Sequence, residues 1–549
     1  IRSLKPDTPL LKKLRRREIE IGTKTDTGEI GVMLKEFVDD YPGELDMKLL
    51  YARHLERQGN HDAARRLFRE IYVTASPLSE VAAHELTPAG ISTQDLVVRG
   101  KNLNAAFLFS DAEQCFRAAL HKGIVDSRTD IEQGLARSLF GQKRYREAAE
   151  LYKKGRSPHW YARSLLRARQ IETFEAELPS LRQHRDSRLA PVFIAYGNVK
   201  RREGDTKKAL SVFRDVSARY PAAREDAIWA IGWMQYRSGN YKAALRTFSD
   251  LYKRHGDTRY RYWVNKCRQR LDEEVTHSSA QEGDVSHRDF YGFLSLLSRG
   301  GSLPAVAKAS ESREETLPPR ISILIALGLT DDAASELLSL SRKGKTAEQL
   351  RSVSLELQRL GKFNSAISVI SRTRYDEENH RLFYPHGYWK EVESASRRAK
   401  ADPLLVLSVI REESKFDPHA RSAAGAVGLM QLMPKTGERI GRDLDIDLRN
   451  PARLIEPGSN VLAGAYYLSQ LLSSFNSVPV ALAAYNAGEE IVREWLSKGN
   501  YGGADDFIED IPYDETRNYV KRVIATYMEY LRSAGRTDSS AARRLILNL

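Results

Sequence analysis

The chain has 549 residues, 41% of them hydrophobic and 29% charged, with 86 Lys+Arg against 73 Asp+Glu and a formal net charge of +13. That length suggests two to four domains with real cores. No apolar run reaches membrane-spanning length, which excludes a transmembrane helix. The first 290 residues read as helical repeats. Gly204 and Gly239 stand 35 residues apart, as do Ala209 and Ala244, Leu210 and Leu245, Phe213 and Phe248, and Asp215 and Asp250. The same rule, a glycine, an alanine five later and an aromatic four after that, recurs at Gly59, Ala64 and Phe68, with a weaker copy at Gly361 and Ala366. Lys143, Ala148 and Tyr152 follow it with the glycine replaced, and Ala112 with Phe116 keeps its second half. A turn at the glycine between two helices packed through the small alanine is the tetratricopeptide-like plan. Each pair needs neighbours to bury its apolar face, so the repeats should stack into a superhelix. Cys115 and Cys267 lie in separate repeats and read as buried small hydrophobes rather than disulfide partners.

The polar stretch Thr276 to Asp289 has little to bury and reads as a loop or linker. A few more helices should follow before a third segment from residue 386 onward. Charge divides the chain. Residues 401–549 hold 17 Lys+Arg and 20 Asp+Glu, a balance of −3, so with a total of +13 the first 400 residues carry +16. A basic helical surface attracts polyanions, and a merely solvated surface accounts for the charge equally well. No recognition helix, zinc spacing or aromatic ribonucleoprotein signature points to nucleic acid. The 12 histidines form no metal-ligand cluster, and no phosphate-cradling glycine loop precedes a basic residue, so no cofactor is expected.

Further on, Asp402 is the expected N-cap of a helix, Pro403 suits its first position, and Leu404, Leu405, Val406, Leu407, Val409 and Ile410 leave almost no polar face, which predicts burial. Glu413 falls near the C-terminal end. Apolar neighbours and the negative end of the helix dipole both disfavour its ionised form, so its pKa should be raised, as a general acid near neutral pH requires. Glu412 beside it is expected to point to solvent, the alternative being a second carboxylate that raises the Glu413 pKa further by like-charge repulsion. Asp417-Pro418 reads as a turn, and the small residues Ala423 to Gly428 let backbone approach a ligand closely. Met430 reads as core filling. Gln431, an amide among apolar residues, needs hydrogen-bond partners that a sugar can supply. Tyr485 and Asn486, after the apolar run Val480 to Ala484 and before the helix stop Gly488, pose the same question.

Taken together, Arg411-Glu412-Glu413-Ser414, the stretch Ala424 to Pro434, Ala483-Ala484-Tyr485-Asn486-Ala487-Gly488 and Ile511-Pro512-Tyr513-Asp514-Glu515-Thr516-Arg517-Asn518-Tyr519-Val520-Lys521 resemble in order and spacing one known catalytic domain. It is that of the lytic transglycosylases, goose-lysozyme-like enzymes that cleave the glycan strands of peptidoglycan. The resemblance implies that Glu413 is the catalytic acid/base and that Ser414, Ser422, Gln431, Met433, Tyr485, Asn486, Glu515 and Tyr519 line the site. One departure is Glu412, where the family usually has glutamine. The repeats, followed by Phe290-Tyr291-Gly292-Phe293-Leu294, resemble more weakly the large soluble members, in which a superhelical ring and a linker domain carry the catalytic domain; a generic protein-binding scaffold is the alternative for this part.

The expected fold is therefore mainly α: a tetratricopeptide-like superhelix over residues 1–290, forming a ring where the resemblance holds throughout, a helical linker over 291–385 and a lysozyme-like catalytic domain over 386–549. The implied activity is non-hydrolytic cleavage of the β-1,4 bond between N-acetylmuramic acid and N-acetylglucosamine, leaving a 1,6-anhydromuramyl end. Its partner is peptidoglycan, with no nucleic acid, metal or cofactor, and the implied location is the periplasm. The start at Ile1 leads to the expectation of either a trimmed chain or a mature form whose export signal has been removed. A hydrolytic muramidase and a noncatalytic wall-binding scaffold are the alternatives, the second disfavoured by an intact Glu413.

Overall fold

The computed structural model describes residues 9–25, 29–123, 128–273, 289–306, 317–343, 346–422, 424–450, 453–536, 543 and 546–547. Among them the regular structure is helical, with isolated β-bridges and no named strand. The chain divides into two compact units, residues 1–7 with 11–247 and residues 8–10 with 248–549.

The first unit is built of packed helix pairs, such as Thr93–Ala105 with Phe109–Lys122 and Leu189–Arg202 with Thr206–Arg219. The repeat rule has a direct physical origin. Gly59, Gly204 and Gly239 occupy left-handed turns at φ 76°, 86° and 78°, where glycine has no Cβ to clash. Ala64, Ala209 and Ala244 are fully buried, and so are the aromatics Phe68 and Phe213 that follow the first two of them. Lys143 and Phe107 hold the same turn at φ 63° and 62°, a strain of about 1–2 kcal/mol each that packing offsets. Phe116 lies in a hollow made by two glycines. A Cβ on Gly100 or Gly134 would come within 2.9 or 2.4 Å of its ring. Cys115, in this unit, is buried and unpaired, as is Cys267 in the other.

The second unit begins inside the stretch read as repeats. Its main segment starts at Phe248, within the helix Tyr241–His255, and continues through Thr258–Arg270 and Phe290–Ser298; four helices from Pro319 to Ile370 follow around Ile321, Leu337, Val353 and Leu357. Gly328 at φ 71° with Ala333 keeps the first two positions of the repeat rule here, with Leu337 in place of the aromatic. The expected linker Thr276 to Asp289 lies outside the described residues except for Asp289, whose carboxylate caps Phe290–Ser298 by accepting from the Gly292 amide at 2.7 Å.

Phe290–Ser298 packs against the long helix Asp514–Ser533 through a buried polar cluster. The Glu509 carboxylate takes Lys521 Nζ at 2.7 Å and Arg259 at 3.5 Å and is bonded by the Tyr291 hydroxyl, which in turn accepts from Lys521 at 2.7 Å. Asp505 receives Tyr262 Oη at 2.6 Å and Lys266 Nζ at 2.7 Å. Burial alone would push Glu509 up, but Lys521, Arg259 and Arg517 outweigh it and hold the carboxyl well below the usual range. No described helix is long and apolar enough to cross a membrane.

Candidate active site

The helix that carries Glu413, Pro403–Ser414, forms as its residues dictate. The Asp402 carboxylate accepts from the Leu404 amide at 2.8 Å, Pro403 opens the first turn, and Leu404 to Ile410 are buried without a break. Lys415 stops the helix in the left-handed conformation at φ 51°, so the chain turns away directly after the glutamate. Two further helices face the carboxyl. Val478–Ala487 brings Tyr485, and Asp514–Ser533 brings Glu515, Tyr519 and Arg522, within electrostatic reach.

Burial is the largest influence on Glu413 and raises its pKa; Tyr519 and Arg522 pull it down, Glu412 and Glu515 push it up, and the carboxyl settles at about 7. A large share of the groups is therefore protonated at neutral pH. The side chain is only partly buried, so the proton remains reachable from solvent. The Tyr519 hydroxyl is buried beside it, and burial and the Glu413 charge hold that phenol in its neutral form.

Glu412 does not point to solvent, contrary to expectation. Its side chain is 11% exposed and lies between Arg411, at 2.7 Å, and Arg522, at 3.3 Å, with the Thr526 hydroxyl donating to it at 2.7 Å. The expectation failed because it treated the last turn of the helix as a free end. The Asp514–Ser533 helix covers that face, and its partners stand more than 100 positions away in sequence.

Residues 420–422 and 424–433 form a compact loop. Val427 and Leu432 exchange backbone hydrogen bonds of 2.9 and 3.0 Å, and Ser422 closes a turn on Ala426 with both its backbone amide and its side-chain oxygen, each at 3.0 Å. Asn460, fully buried in Pro457–Phe475, holds the loop from beneath. Its Nδ2 donates to Val427 O at 3.0 Å and Leu454 O at 2.8 Å, and its Oδ1 accepts from Met430 N at 2.8 Å. Ser414 ties the loop to the Glu413 helix, its buried hydroxyl 2.8 Å from Leu429 O and 3.1 Å from Ile410 O.

Gln431 sits at φ 47°, and its Nε2 donates to Ala420 O at 3.0 Å and Gly428 O at 2.9 Å. The loop thus supplies both partners of the amide nitrogen. Met430 is fully buried against Gly464, as core filling requires, whereas Met433 is 42% exposed. Tyr485 donates to Met430 O at 2.8 Å, its ring 5.3 Å from that of Tyr467. Asn486 is exposed and accepts from the buried Thr516 hydroxyl at 2.7 Å. Ser422 and Glu515 are exposed as well. The structure thus gathers Tyr485, Glu515 and Tyr519 around Glu413, links Ser414 and Gln431 to it through the loop, and leaves the others at the surface. Asn460, Thr516 and Arg522 escaped the sequence reading. An asparagine at the head of the apolar run Val461 to Ala465 was the one available signal.

Residues 390–508 match the family model described as Transglycosylase SLT domain, and residues 33–80 and 226–258 match tetratricopeptide repeat models. A soluble lytic murein transglycosylase of Salmonella typhimurium is 29% identical over 296 residues, a match that spans 51% of this chain and 44% of that protein. The chain therefore covers less than half of this relative. Among solved structures, the 70 kDa soluble lytic transglycosylase of Escherichia coli has a TM-score of 0.60 at 19% identity, covering 96% of this chain and 87% of its own. An inactive mutant of lytic transglycosylase Slt from Pseudomonas aeruginosa has a TM-score of 0.56 at 21% identity, with 96% and 91% covered. Glu413 and its loop thus lie in a segment similar to the Transglycosylase SLT domain, within a chain that has the fold of the large soluble lytic transglycosylases.

Proposed function

We propose that this protein is a peptidoglycan lytic transglycosylase, with Glu413 as its acid and base. The observation that carries the proposal is a partly buried carboxyl held at about 7 by burial, facing Tyr519 and Tyr485, inside the segment similar to the SLT domain. A group with that value holds a proton at neutral pH and gives it up readily, which is what protonating a glycosidic oxygen demands. Glu413 donates its proton to the leaving oxygen of the bond between N-acetylmuramic acid and N-acetylglucosamine. The substrate's acetamido group stabilises the positive anomeric carbon. The carboxylate then takes the proton of the muramyl C6 hydroxyl, whose oxygen closes the 1,6-anhydro ring. Met433, exposed and apolar, and the Gln431 carbonyl are suited to contact the sugar ring and its polar substituents, and Ser422, Asn486 and Glu515 present further polar groups. The basic first 400 residues favour attraction to an anionic wall, and the periplasm is where such a substrate lies.

The tethered C6 hydroxyl has an effective molarity on the order of 10⁵ M or more, so water is outcompeted without a second catalytic carboxylate. Digestion of purified sacculi in ¹⁸O-water is expected to give muramyl ends without label, each lighter by one water than a hydrolysed end. Label at new muramic acid termini makes the enzyme a hydrolase, with Glu515 the first candidate for the second carboxylate. Sacculi left intact by the active-looking site would reduce the protein to a wall-binding scaffold.

A further inference from the structure

We infer that Glu412 is a positioning residue: it holds the Arg522 guanidinium away from the Glu413 carboxyl and so sets the pH range over which Glu413 can deliver its proton. The inference rests on Glu413 being the acid. Its basis is the way the two arginines around Glu412 are seated. Arg411 is immobilised three ways, by Glu412 at 2.7 Å, by its Nε donating to Phe383 O at 3.0 Å, and by the Tyr384 ring 4.5 Å beneath its guanidinium. Arg522 is different. Its side chain is 55% exposed, and its ion pair among the described residues is the one with Glu412, at 3.3 Å. It stands one turn beyond Tyr519 on the same helix, and that tyrosine faces Glu413.

Every charged or titratable group facing Glu413 enters the sign of the effect. Tyr519, Arg522 and Glu515 come from Asp514–Ser533, Tyr485 from Val478–Ala487, and Glu412, with Arg411 behind it, from the same helix as Glu413. Arg522 is the facing cation, and it acts on Glu413 through space, with no ion pair between them within 4.0 Å among the described residues. Neutralising Glu412 removes a like charge next to Glu413 and at the same time releases Arg522 to swing toward it. Both changes favour ionised Glu413. A carboxyl that ionises more easily loses its proton at lower pH, so the enzyme loses its acid at lower pH. Neutralising Arg522 works in the opposite direction.

The test is the pH dependence of kcat/KM for the full chain on soluble peptidoglycan fragments, each variant read against its own acid plateau. Glu412→Gln is expected to move the alkaline limb down by about one pH unit, in the range a newly close cation produces. Arg522→Gln should move it up. In the Arg522→Gln background, Glu412→Gln should produce a smaller shift than it does alone, because the cation it would release is gone. The inference is overturned if Glu412→Gln leaves the limb in place or raises it, or if its shift is as large without Arg522 as with it. Should Glu412→Gln fail to fold, Arg522→Gln decides alone, since its side chain is exposed: an unmoved or lowered limb overturns the inference. Retained turnover in Glu413→Gln would sink the assignment of the acid instead, a separate result.

Discussion

Glu413→Gln is expected to lower turnover of sacculi by more than the roughly 10²–10⁴-fold usual for one acid/base group, because the same carboxyl serves both the protonation and the ring-closing step. The amide keeps the shape and the neutral character of the protonated acid but has no proton to deliver. The variant should also report on its own integrity. A carboxyl whose pKa is raised on folding from the ordinary 4.5 to about 7 costs the fold nothing below the unfolded value. Its penalty grows as pH rises through that window and is complete above about 7. The glutamine carries no such penalty. Melting temperatures of the two proteins should therefore agree near pH 4, and the variant should melt at or above the parent near pH 8. Near-parental digestion by Glu413→Gln refutes its catalytic role. A variant that melts well below the parent at pH 8 contradicts the buried-carboxyl account.

The second large effect is expected at Gly428, where the loop beside Glu413 has no room to spare. The residue sits at φ 82°, and a Cβ there would come within 2.3 Å of Asn460 Nδ2 and 2.5 Å of Leu454 O. Gly428→Ala must strain the backbone and also displace the asparagine that holds Val427 and Met430. The left-handed penalty and the overpacking together amount to about 2–5 kcal/mol. Asn460 is fully buried, so its displaced amide finds no water in exchange. Calorimetry should show a clear loss of stability, accompanied by loss of activity, since Ser414 transmits the position of Leu429 to the end of the Glu413 helix. Gly425 is the control. It has φ 88° but nothing within 4 Å of its would-be Cβ, so its replacement by alanine costs the backbone strain alone.

Local rules explain what could be read in advance. A cap, a first-turn proline and an unbroken apolar run specify the Glu413 helix within a dozen residues, and the burial that does most to raise the Glu413 pKa follows from that run. The repeats were legible where a glycine takes the left-handed turn and an alanine the helix contact. They faded at Phe107 and Lys143, where tertiary packing offsets the cost of the same turn in another residue. What escaped depends on distant partners. Glu412 looks solvent-facing until the helix 100 residues later brings Arg522 and Thr526 onto it. Gln431 looks in need of a ligand until the loop folds back and its nitrogen meets two carbonyls. Asn460 gives no sign of its partners, because all three lie outside its own helix.

The cluster around Glu509 bears on how the chain can be divided by truncation. Tyr291, Arg259, Tyr262 and Lys266 all precede residue 386, yet they complete the polar partners of Glu509 and Asp505, on the helix Ala504–Asp510 just before the one that carries Tyr519. A fragment beginning at 386 would keep every candidate site residue while uncovering the side of Asp514–Ser533 that Phe290–Ser298 shields, and Lys521 would regain water. A fragment beginning at 248 keeps that cover. Expressed side by side, the longer piece should unfold in one transition at the higher temperature, and the shorter should exchange the amides of Asp514–Ser533 faster. The helix that aims Tyr519 at the acid would then owe its rigidity to residues that precede the catalytic segment by about a hundred positions, and shortening the protein to its chemistry would loosen the chemistry itself.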